Sequence, residues 1–92
     1  MIRREGGRIL LSGPVTLANV AALQEEGSRH LQEGVKVVDL GEISEMDSSL
    51  VALILAWLRD ARARNAELSF ANPPESLRTI ARLYGVDTLL PH

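Results

Sequence analysis

Val35-Lys36-Val37-Val38-Asp39-Leu40, then Gly41-Glu42-Ile43-Ser44-Glu45-Met46, then Asp47-Ser48-Ser49-Leu50-Val51-Ala52-Leu53-Ile54-Leu55-Ala56-Trp57-Leu58: the apolar pattern changes twice in this stretch, and its reading decides the fold. The first block is nearly continuously apolar and β-branched, the composition of a strand covered on both faces, which places it in mid-sheet. Glu42 to Met46 reads as a polar connector. In the third block Asp47 and Ser48 offer capping oxygens to a helix running to about Asn65.

Upstream, Gly6-Gly7 marks a turn and Arg8-Ile9-Leu10-Leu11-Ser12 a short strand that stops at Gly13-Pro14, with Met1 to Arg4 placed to pair beside it. Thr16 is the expected N-cap of a helix in which Leu17, Val20, Leu23, Gly27 and Leu31 recur at helical steps through Glu33, and Gly34 ends it. Downstream, Glu67-Leu68-Ser69-Phe70-Ala71 is a further strand. Asn72-Pro73-Pro74-Glu75 supplies a cap, prolines and an early acid for a third helix with Leu77, Ile80, Ala81 and Tyr84 on its apolar face, closed by Gly85. The tail from Val86 to His92 is apolar enough to pack back on the body. Strand and helix alternate, so right-handed crossovers give a small α/β fold: one domain over residues 1–92, with a mixed, mostly parallel sheet of about four strands and helices packed against it.

Ninety-two residues suffice for one core and leave no room for a second. A formal charge of -2, with no basic run beyond Arg3-Arg4, argues against a nucleic-acid partner. Cysteine is absent, which removes disulfides and thiolate chemistry and suits a reducing compartment. No segment approaches the roughly 20 apolar residues of a membrane span, so no direct membrane insertion is expected.

Little in the sequence points to catalysis. No serine sits in a Gly-x-Ser-x-Gly elbow, and the glycines do not make a phosphate loop. His30 and His92 show no metal-ligand spacing, and surface roles are expected for both. Asp39, Glu42, Glu45 and Asp47 form an acidic run that lacks the alternation and glycine of a calcium loop, so a solvated loop is the preferred reading. No enzyme activity, metal or cofactor is expected.

Taking ~100° of rotation per residue, Leu50, Leu53, Ile54, Trp57, Leu58 and Ala61 gather on one face of the second helix, which belongs to the core. The opposite side carries Ser48, Ala52, Ala56, Arg59 and Ala63, with Val51 and Leu55 on one shoulder and Ser49 and Asp60 on the other. Small, uncharged residues permit close approach of another chain, and this strip is read as a docking surface. Alanine is also the best helix former, and the composition by itself leaves both readings open. Ser48 lies where the helix dipole is positive. Its expected role is capping, and a phosphate there is the alternative.

Met46 to Leu55, preceded by Val37-Val38-Asp39-Leu40, resembles the central motif of STAS domains. Ser12-Gly13-Pro14-Val15-Thr16-Leu17-Ala18-Asn19-Val20 and the end from Leu77 to Val86, with Leu90-Pro91, resemble the MlaB branch of that family. The resemblance implies a cytoplasmic accessory subunit of an ABC transporter that moves phospholipid between the two membranes of Gram-negative bacteria and so maintains outer-membrane lipid asymmetry. It implies association with the inner membrane through the complex, and binding to the transporter's ATPase subunit, MlaF in that family. Ser48 takes the family's hydroxyl position and Asp47 that of the preceding acid, so the partner-binding residues implied are Asp47, Ser48, Ser49, Val51, Ala52, Leu55, Ala56 and Arg59. Leu50 stands where the family often has glycine. The alternative implied is a switch of the anti-sigma factor antagonist type, with a serine kinase phosphorylating Ser48.

Overall fold

The structure is a computed structural model and describes residues 1–83 and 85. Its elements are β1 (Ile2–Glu5), β2 (Arg8–Val15), α1 (Val20–Gln32), β3 (Val37–Met46), α2 (Ser49–Ala63), β4 (Ser69–Ala71) and α3 (Glu75–Leu83). The strands lie in the order β1-β2-β3-β4; β1 runs antiparallel to β2, and β3 and β4 are parallel to it. The expected small α/β fold with a mixed, mostly parallel sheet is what forms. The turn between β1 and β2 uses Gly6 at φ 64°, a conformation that costs glycine nothing. Tyr84 and the tail from Val86 to His92 lie outside the described residues.

One core joins the layers. Ile9, Leu11 and Val15 from β2, Val38 and Leu40 from β3 and Phe70 from β4 form a single cluster with Leu23 and Leu31 of α1, with Leu50, Leu53, Ile54 and Trp57 of α2, and with Leu77 and Ala81 of α3. All three helices therefore lie against the same face of the sheet. Val37 and Asp39, which alternate with Val38 and Leu40, are only half-buried, so β3 is not sealed equally on both sides as its composition suggested.

Both inner strands run further than their sequence suggests. β2 does not stop at Gly13-Pro14 but continues to Val15. Its hydrogen bonds with the chain's start end at Ser12, which pairs with Met1, so Pro14 has no strand on that side to which it owes an N–H. Gly13, at φ 79°, sits where the pairing with β3 shifts. Glu42 to Met46 is likewise strand and not a connector. Opposite β2, β3 carries two extra residues: Leu10 and Ser12 pair with Asp39 and Glu42, and Gly13 and Pro14 with Ile43 and Glu45. Each bulge moves the inward side by one residue. The inward residues accordingly run Val38, Leu40, Ile43, Met46, in steps of two, three and three.

The helix starts also depart from expectation. Thr16 does not open α1. Residues 16–19 form a separate turn in which the Thr16 carbonyl accepts from the Asn19 and Val20 amides, Asn19 Oδ1 accepts from Thr16 N–H, and Asn19 Nδ2 donates to the Pro14 carbonyl. Leu17 consequently faces outward at 79% exposure instead of joining the core. α1 ends as expected, with Gly34 at φ 98° just beyond it. At the start of α3, Asn72 is not a cap; its side chain turns back to Asp39. His30, expected on the surface, is half-buried beside Glu26 and Glu33.

Candidate functional site

The parallel strands β2 and β3 end side by side, with Val15 opposite Met46 and the Asp47 N–H donating to the Val15 carbonyl at 3.3 Å. The chain leaves β2 into the Thr16–Asn19 turn and leaves β3 into α2, so the two exits share one end of the sheet. In open α/β sheets the carboxyl ends of the strands are where binding groups collect, because loops and helix starts converge there.

Asp47 holds this corner together. Its Oδ1 accepts from Ser49 N–H at 2.8 Å, the short Asx link that opens α2, and its Oδ2 accepts from Leu17 N–H at 3.1 Å across the gap between the exits. The Leu17 and Ser49 N–H bonds favour the charged form and hold its carboxyl below the usual aspartate range. Ser48 does not perform the capping role expected of it. It is already in the helical region, at φ -62° and ψ -13°, and its side chain makes no capping hydrogen bond. Asp47 has taken that task, which leaves an exposed Ser48 hydroxyl at the first turn of α2.

Of the residues expected to bind a partner, Ser48, Ala52 and Arg59 are exposed, and Asp47, Ser49, Leu55 and Ala56 are half-buried. Val51 is a correction: at 3% exposure it belongs to the core cluster and presents no surface. All three helices close over the same face of the sheet, and Val51 is enclosed in the core they share. The outward strip is therefore narrower than expected, running Ser48, Ala52, Ala56, Arg59. Farther down, Leu55 and Arg59 also border an open groove of ≈ 610 Å³, lined with Leu58, Ala61, Arg62, Asn65, Ala66 and Leu68. Leu58, expected in the core, is half-buried at its edge.

Leu17 is the residue of this corner that periodicity misplaced. The signal was Asn19, a second turn-forming side chain three residues after Thr16, which competes with the helix for the same backbone groups. The acidic run does not converge. Glu42 pairs with Arg3, whereas Asp39 accepts from the Gly41 amide and from Asn72 and faces Arg8. Among the described residues no three His, Asp or Glu side chains come together as a metal would require. Among them, too, no helix is long and apolar enough to cross a membrane.

The family model described as "Mlab, STAS domain" matches residues 2–91. None of the curated proteins matches the chain. Among solved structures, the anti-sigma factor antagonist SpoIIAA in its unphosphorylated form is similar with a TM-score of 0.73 at 21% identity, over 99% of this chain and 84% of that one. The Bacillus cell fate determinant SpoIIAA in its phosphorylated form gives 0.69 at 22% identity, over 99% and 87%. Mglu gives 0.60 at 22%, over 82% of this chain and 20% of that one. At these identities the likenesses establish the fold.

Proposed function

The chain belongs to the MlaB-type STAS family, and from that premise we propose that it is a non-catalytic, cytoplasmic subunit that docks on the ATPase of an ABC phospholipid transporter and supports its assembly or activity. The observation that carries this reading is the strip Ser48, Ala52, Ala56, Arg59, which α2 turns away from the core while its other side supplies much of that core. Helix surfaces that meet only water usually carry longer charged side chains. Ala52 and Ala56, by contrast, leave room for another backbone. Binding energy at such a surface concentrates in a few positions, so single changes there are decisive.

The test is co-purification with the ATPase subunit from the same host. Ser48→Glu and Ala52→Arg each abolish it while the thermal transition of the isolated chain stays where it was. Co-purification that survives both substitutions ends the docking reading.

A second reading is favoured by the exposed Ser48 hydroxyl: a switch of the anti-sigma factor antagonist type, in which a serine kinase phosphorylates Ser48. A phosphate there would place nearly two negative charges at the head of the strip. Mass spectrometry of the chain from its own host decides between the two, since appreciable phosphate on Ser48 supports the switch and its absence under all growth conditions removes it.

A further inference from the structure

We propose that Asp47 is a positioning residue that joins the two strand exits into one binding surface, and that Leu17 is the apolar contact it positions; this rests on the docking reading above. Both carboxylate oxygens of Asp47 are used, one on each side of the gap: Oδ1 on Ser49 N–H in α2, and Oδ2 on Leu17 N–H in the turn after β2. The turn is further fixed by the Thr16 N–H to Asn19 Oδ1 bond at 3.0 Å, the Ala18 N–H to Thr16 Oγ1 bond at 3.3 Å, and the Asn19 side-chain bond to the Pro14 carbonyl at 2.8 Å. Its backbone is thus tied down at four consecutive residues while the side chain of Leu17 stands 79% exposed. A large apolar group held on a rigid turn loses little further freedom when covered, which is the property of a binding anchor. The occupant is the same transporter ATPase. The Leu17 amide and the start of α2 share one carboxylate, which sets the turn beside the head of the strip, and the proposed surface runs from Ser48 and Ala52 across to Leu17.

The experiment compares Leu17→Ala, Asp47→Ala and the double variant, using amide hydrogen exchange on the isolated chain and affinity for the purified ATPase subunit. Asp47→Ala speeds exchange of the Leu17 and Ser49 amides together. Leu17→Ala weakens binding about tenfold, and adds less than about twofold once Asp47 is already alanine, because its anchor has lost its place. Should Asp47→Ala fail to fold, Asp47→Asn, which keeps one acceptor oxygen, loosens one of the two amides and shows the same coupling in weaker form. Wild-type affinity in Leu17→Ala, losses that multiply independently in the double variant, or an unchanged Leu17 amide in both Asp47 variants overturns the proposal. A wild-type chain that binds no ATPase overturns the docking reading and this proposal together, whereas intact binding without Leu17 coupling overturns this one alone.

Discussion

Gly27 faces the indole of Trp57 so closely that a Cβ at this position would overlap Cζ2 and lie 2.8 Å from Cε2. Trp57 is fully buried, and its Nε1 donates to the Gln24 carbonyl at 3.3 Å, so the ring has no free direction in which to retreat. Gly27→Ala is therefore expected to destabilise the chain by about 1–3 kcal/mol through overpacking, in spite of alanine's better helix propensity, and urea unfolding measures it. The helical spacing of Gly27 was legible in the sequence; its reason was not, because nothing local indicates which ring lies across from it. A second residue-scale expectation concerns Asp39. The Gly41 N–H chiefly, with Asn72 and Arg8 assisting against the opposing effect of burial, holds its carboxyl below the usual value. A carboxylate whose folded pKa is depressed stabilises the fold above its unfolded pKa of about 3.9 and loses that contribution as pH falls through the lower folded value. Asp39→Asn should thus flatten the loss of stability on acidification below about pH 4, as read from urea midpoints at a series of pH values. An acid slope equal to that of the wild type would show that the cluster contributes nothing.

At the scale of the element, α2 carries neighbouring positions of opposite character. Val51 is enclosed and Ala52 is exposed. Val51→Ala should cost roughly 1.5–3 kcal/mol of stability, whereas Ala52→Arg should stay within about 0.5 kcal/mol and act on partner binding alone. Denaturation curves of the two variants check this directly. A wheel drawn from sequence put both residues on the outward half. The core face, Leu58 apart, and the buried Trp57 are legible in the sequence, but the width of that face depends on how the neighbouring helices close over it. The strands show a related limit. β2 alternates regularly, with Ile9, Leu11 and Val15 buried. In β3 the two bulges stretch the inward spacing to three residues after Leu40, so Glu42 to Met46 no longer shows the two-residue alternation that announces a strand. Thr16 to Asn19 differ for another reason: Leu17 falls in phase with α1 by count, and the competing signal is the pair Thr16 and Asn19, whose side chains bond to the turn's own backbone.

For the molecule as a whole, the alternation of strand and helix was enough to give the class, the single core and the parallel pairing of β2, β3 and β4. The edges of the sheet are guarded. β4 is three residues long, and β1 bears Arg3, Arg4 and Glu5, with Arg3 paired to Glu5 and Glu42 and Arg4 to Glu33. Charges on an edge strand deter pairing with a second chain. Replacing both Arg3 and Arg4 with valine should raise self-association at high concentration, visible as faster sedimentation than the wild type. From Leu10 to Val15, β2 advances five positions, while the partners Asp39 to Met46 advance seven. Both surplus positions lie between the mid-sheet pairing and the corner where Asp47 meets Leu17. Deleting Ser44 would erase one of the two surplus positions yet leave Glu45 opposite Pro14 and Met46 opposite Val15, so two-residue alternation would return there while the carboxylate kept the Leu17 amide: the surplus absorbs a change of length before it reaches the corner.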